Sequence, residues 1–129
     1  MFLRKAAVTT FIAAFAVASF AFAGDGITKR VKFAKGKSSV TLSNAVIRGE
    51  RDTYVLGAKA GQRMTVRVTA LEKNAAFQIE GPDGAYLEGA GEMDDATDLT
   101  VTLPETGDYR VIVGGTRGNA SYRLTVSIR

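Results

Sequence analysis

Hydrophobic positions along this chain recur every second residue. In RMTVRVTA (63–70), Met64, Val66, Val68 and Ala70 share one parity, and Arg63, Thr65, Arg67 and Thr69 share the other. Successive side chains of an extended strand point to opposite faces, so this run predicts a half-buried strand. YRLTVSIR (122–129) repeats the pattern, with Tyr122, Leu124, Val126 and Ile128 on one side and Arg123, Thr125, Ser127 and Arg129 on the other. In DLTVTL (98–103), Leu99, Val101 and Leu103 alternate with Asp98, Thr100 and Thr102; in FQIE, Phe77 and Ile79 oppose Gln78 and Glu80. Further strands are predicted at VKF (31–33), SVTLS (39–43), TYVLG (53–57) and YRVIV (109–113), with AYLEG (85–89) as an additional candidate. Beyond the apolar N-terminus, no stretch carries a helical period.

Between these runs stand turn formers. Gly61 sits in AKAGQ where a tight turn needs positive φ, and Pro82-Asp83-Gly84 combines a preset φ with a residue that accepts the left-handed region. GGTRGNA (114–120) is expected to join the last two strands as a hairpin loop. Eight or nine short strands with such spacing predict an all-β fold, a sandwich or a barrel; as a two-sheet antiparallel β-sandwich, the inward residues would form one core with Thr, Arg and Lys covering the outside.

Composition narrows the setting. Residues 1–23 combine Arg4 and Lys5, an Ala-rich apolar run and Ala21-Phe22-Ala23. That is the pattern of a cleaved secretory signal peptide, leaving one β-sandwich domain over 24–129 and nothing to hold the chain stably in a membrane. A periplasmic or secreted location follows. The full chain carries a net charge of +4, but without Arg4 and Lys5 there remain 15 basic against 13 acidic residues. This is too even a balance for the concentrated basic face that nucleic acid requires. Lys29, Arg30, Lys32, Lys35 and Lys37 crowd the new N-terminus and read as an edge strand guarded against aggregation. Arg63, Arg67, Arg110 and Arg123 read as solvating a sheet face, or as a stripe if their strands are neighbours.

Catalytic chemistry is hard to build from these residues. Without histidine or cysteine there is no His-dependent triad, no thiolate, and no imidazole or thiolate metal ligand. No catalytic residue, metal or cofactor is assigned, and the chain is expected not to be an enzyme. Glu92, Asp94, Asp95 and Asp98 are close enough in sequence to suggest calcium, but their spacing fits no EF-hand loop and reads as a wet connection. Asn119-Ala120-Ser121 has the glycosylation pattern and also the composition of a turn.

LPETG (103–107) matches the string of a cell-wall anchoring signal. In residues 108–129, however, the longest apolar run is Val111–Val113, far short of a membrane-retained tail. The motif reads instead as the end of one strand, a turn, and the start of the next. LPETGDYRVIV with the closing YRLTVSI, and DTYVLGAKAGQRMTVRV (52–68), resemble the bacterial pre-peptidase C-terminal domain. That resemblance implies a small jelly-roll-like sandwich. VKFAKGKSSVTL, LGAKAGQRMTV and NASYRLTVSIR also resemble the periplasmic inhibitors of goose-type lysozyme. The resemblance implies that basic and aromatic loop residues enter the enzyme's acidic cleft. Here the resemblance points to Arg48 and Arg51 in IRGER (47–51) and to Arg117 in GGTRGN as the partner-binding residues. The alternative is a pre-peptidase-like module that binds envelope glycan or another envelope protein without inhibiting anything.

Overall fold

The computed structural model describes residues 26–129; the expected signal peptide lies outside the described residues. Eight strands follow in order: β1 (Thr28–Arg30), β2 (Ser39–Val46), β3 (Arg51–Ala58), β4 (Arg63–Ala70), β5 (Ala75–Glu80), β6 (Asp98–Thr102), β7 (Gly107–Gly115) and β8 (Ala120–Ile128). They form two four-stranded sheets, β1-β3-β7-β5 and β2-β8-β4-β6. Odd strands make one layer and even strands the other, so each link between consecutive strands crosses the sandwich. All pairings are antiparallel except β1 with β3, which is parallel.

The predicted parities are realised as predicted faces. Met64, Val66 and Val68 of β4 and Tyr122, Leu124, Val126 and Ile128 of β8 are buried. They face Tyr54 and Leu56 of β3, Phe77 and Ile79 of β5, and Tyr109, Val111 and Val113 of β7 within one continuous core. Outward threonines meet across strands, as Thr65 and Thr100 do at 3.0 Å.

Three details differ from the sequence reading. VKF is not a strand; the β1–β3 register ends at Arg30, and Val31 N adds one last bond, to Val55 O at 2.8 Å. Val31 and Phe33 still turn inward and Lys32 outward while the chain crosses to the second sheet. Alternation sets which side is greasy, but not whether a neighbouring strand is present. AYLEG likewise contributes an isolated bridge, Tyr86 to Glu80, rather than a strand. GGTRGNA is not a hairpin loop. β7 has β3 and β5 as its neighbours and β8 has β2 and β4, so both edges of each strand are taken and residues 116–119 arch between layers. A hairpin and an arch present the same turn residues to a sequence reader.

LPETG closes the end of the sandwich opposite that arch. Leu103 is buried, and its backbone exchanges hydrogen bonds with the β3–β4 link, Leu103 N to Gln62 O and Gly61 N to Leu103 O, both at 2.8 Å. The Tyr109 hydroxyl donates to Glu105 O at 2.5 Å and accepts from Glu105 N at 3.1 Å, which wraps the turn around a buried ring. Gly107 has φ 152°, and a Cβ there would lie 2.9 Å from two Pro82 side-chain carbons. The glycine of the motif is therefore set by packing.

Leu124 is fully buried at the centre of β8, and its replacement by alanine is expected to cost about 2–5 kcal/mol in urea unfolding. Ser43→Ala, on the exposed face of β2, is expected to stay within about 0.5 kcal/mol.

Candidate partner-binding site

Strand directions gather three links at one end: β2–β3 (47–50), β4–β5 (71–74) and β7–β8 (116–119). The chain enters the described structure beside them, where Gly26 N donates to Arg51 O at 2.9 Å. Glu50 N donates to Ile47 O at 2.9 Å and Ile47 N to Glu50 Oε1 at 3.2 Å, closing the first link as a tight turn. In the third, Gly118 has φ 79°, a left-handed conformation that glycine takes at no steric cost.

Asparagines stitch the links together. Asn119 Oδ1 accepts from Arg48 N at 2.7 Å, and Asn119 O accepts from Asn74 Nδ2 at 2.7 Å. Asn74 is only 5% exposed, and its own carbonyl accepts from Thr116 N at 2.8 Å. Asn119, noted in sequence as part of a glycosylation pattern, is here a joint between loops.

The three arginines singled out from sequence lie in this region. Arg48 stands in the first link, and its backbone is tied to Asn119 of the third. Arg51 opens β3 opposite Gly114 of β7, and its side chain passes over that glycine. Arg117 reaches sideways to donate to Glu72 O at 2.7 Å. All three are exposed, and among the described residues none is ion-paired with a carboxylate. They share one end, but Arg117 lies toward the β4–β5 turn, whereas Arg51 lines a cleft of about 240 Å³ that also includes Glu92 and Asp95. The four arginines read from sequence as a possible stripe divide. Arg63, Arg67 and Arg123 lie on neighbouring strands β4 and β8, while Arg110 is on the other sheet.

Beneath this end the core becomes polar. Asp52 is 1% exposed and accepts three hydrogen bonds: from Ile27 N at 2.9 Å, Asn44 Nδ2 at 2.8 Å and Tyr122 Oη at 2.5 Å. Tyr122 commits its single proton to Asp52, so the 2.5 Å contact between the two phenols must be donated by Tyr54. The sequence reading missed this network, although a signal was present. Asp52 shares parity with Tyr54 and Leu56, and Asn44 with Leu42 and Val46, so each is a polar residue in a greasy register.

Burial first, then the hydrogen bonds to Asp52 and Tyr54, push the Tyr122 phenol above the usual tyrosine range. Burial also raises Tyr54, outweighing the opposing effect of its bond with Tyr122. Among the described residues no three acidic side chains gather as metal ligands. Asp94 accepts from Gly91 N at 2.7 Å within its own loop, and Asp98 pairs with Arg67 at 3.6 Å.

The described residues thus form a two-layer sandwich whose tied links at one end carry exposed arginines that make no ion pair with a carboxylate among them. No family model matches the chain. Over 111 residues, covering 78% of this chain and 75% of the relative, it is 33% identical to the inhibitor of g-type lysozyme of Escherichia coli K12. The chain belongs to that inhibitor family. The crystal structure of the Aeromonas hydrophila periplasmic inhibitor of g-type lysozyme superposes with a TM-score of 0.69 at 33% identity, covering 81% of this chain and 99% of that one. The pre-peptidase C-terminal domain of Bacillus anthracis collagenase superposes at 0.56 with 14% identity, covering 79% and 94%, and shares the fold alone.

Tyr122→Phe leaves Asp52 one donor short and is expected to cost about 1–3 kcal/mol at neutral pH. A phenol whose folded pKa is raised stabilises the fold below its unfolded value, about 10, and that contribution is lost as pH climbs above it. Urea midpoints of the wild type should therefore fall between pH 9 and 11, with a shallower fall in the variant.

Proposed function

We propose that this chain is an exported, non-enzymatic inhibitor of g-type lysozyme, and that Arg48, Arg51 and Arg117 are the residues it presents to the enzyme. The kinship with the Escherichia coli inhibitor carries the proposal. It favours inhibition over the alternative of a module that merely binds glycan or another envelope protein. Relatives of solved structure are periplasmic, which fits a signal peptide over 1–23 and a mature domain from 24 onward. The absence of histidine and cysteine agrees with a partner that blocks chemistry rather than performs it.

The physical mechanism is ordinary recognition. An exposed guanidinium that forms no ion pair within its own fold can give a bidentate bond to a carboxylate of an acidic cleft. The hydrogen bonds among links 47–50, 71–74 and 116–119 hold the loops before the partner arrives, so less entropy is lost on docking. Arg117, with its guanidinium on Glu72 O, is held least freely of the three, since its side chain is already tied.

Purified protein at micromolar excess is expected to suppress lysis of peptidoglycan by a g-type lysozyme. Arg48→Ala, Arg51→Ala and Arg117→Ala should each weaken inhibition by about tenfold or more, with the loss narrowing as salt is raised. Lysis that proceeds unchanged in the presence of the wild-type protein would refute the proposal.

A further inference from the structure

The arginine end also carries apolar surface that charge recognition leaves unused. Leu71 is 101% exposed and Ile47 is 53% exposed. A single exposed leucine is commonplace, but these two flank one groove of about 420 Å³ whose lining includes Asn119, Ala120 and Ser121 at the start of β8. A second hollow of about 340 Å³ shares Leu71 and Ser121 and continues along β8 to Arg123.

Both apolar side chains are carried on braced turns. Lys73 N donates to Ala70 O at 3.0 Å and Lys73 has φ 54°, a conformation uncommon outside glycine, so the turn that projects Leu71 is tightly specified. The next residue, Asn74, is buried and bonded to Asn119 O, and Arg117 bonds the carbonyl of Glu72. Leu71 is thus fixed relative to Arg117 by two independent hydrogen bonds. Ile47 is fixed by its reciprocal bonds with Glu50. The groove between them contains no arginine or lysine, and Glu72 is the one charged residue in its lining. Such a surface suits an apolar segment, whereas the flanking arginines suit carboxylates.

We propose that this groove seats an apolar segment at the rim of the g-type lysozyme cleft, with Leu71 as the central anchor and Ile47 as its opposite wall. The inference rests on the inhibitor reading and deepens it. Arginine would supply attraction and orientation, while a desolvated aliphatic contact beside it would supply lifetime. Binding energy at protein interfaces concentrates in a few such central anchors surrounded by polar contacts.

The test measures inhibition constants and melting temperatures for Leu71→Ala, Leu71→Gln, Ile47→Ala and Arg117→Ala. Tyr86→Ala serves as a control, because Tyr86 is exposed but bridges Glu80 at the far end of β5. Both Leu71 variants are expected to weaken inhibition by about tenfold and Ile47→Ala by a smaller factor. Melting temperatures should hold, and the Leu71 loss should persist at high salt, where the Arg117 loss shrinks. Leu71 variants that inhibit as well as wild type, while Arg117→Ala is impaired, overturn the groove and leave the arginine reading standing. A wild-type protein that does not inhibit overturns both.

Discussion

A carboxyl group inside the sandwich organises the end of the molecule that carries the arginine-bearing links. Asp52 sits in the greasy register of β3, where an unpaired polar group costs several kcal/mol, and no lysine or arginine is among its hydrogen-bond partners. What makes the position tolerable is a complete set of donors drawn from four places: the backbone ahead of β1, the amide of Asn44 on β2, and the phenols of Tyr122 on β8 and, through it, Tyr54 on β3. These partners belong to both sheets. A hydrophobic contact between layers tolerates sliding, whereas a directional bond with a short optimum distance does not. The network therefore sets where the two layers meet at the end from which the arginine-bearing links spring. It also explains the glycine before β1: a Cβ on Gly26 would collide with Asp52 Oδ1.

Topology then turns that fixed end into a surface. Because odd and even strands lie in different layers, each link between strands must span the gap between sheets. Three such links leave from the Asp52 end. Short bridging segments have few internal hydrogen bonds of their own, so Asn74 and Asn119 supply them, binding one link to the next. Side chains that are free to explore solvent, Arg48, Arg51 and Leu71 among them, are mounted on backbone that is not. The opposite end uses the same economy for a different purpose. LPETG wraps Tyr109 and abuts Pro82, which leaves a string famous as a sorting signal serving as a packed turn.

Much of this was legible from residues alone, and the unread part has a common cause. RMTVRVTA, DLTVTL and YRLTVSIR disclosed their inner and outer faces because period-two alternation is a local property of extended chain. VKF disclosed its parity too, yet beyond the single bond from Val31 N to Val55 O it forms no strand, since pairing depends on what lies alongside. The arch at 116–119 passed for a hairpin for the same reason. Asp52 and Asn44 were visible as polar residues in an apolar register, but their mutual contact joins β3 to β2, and Tyr122 comes from a strand 70 residues away. Leu71 follows Arg67 and Thr69 in the outward parity, but only the fold shows that no neighbouring element covers it.

Sequence by itself determined the class of fold, the inward and outward faces, and the poverty of catalytic groups, because alternation and residue chemistry act within a few residues. Kinship with the g-type lysozyme inhibitors was also carried by short stretches of it. The tertiary structure alone decided that each strand link crosses between layers, and that Arg48, Arg51 and Arg117 share an end, with Arg51 on a cleft and Arg117 tied to the β4–β5 turn. It also placed a buried carboxyl beneath them and an aliphatic pair beside them. Those facts depend on which distant segments become neighbours, a choice made by burying one shared core and satisfying every polar group within it.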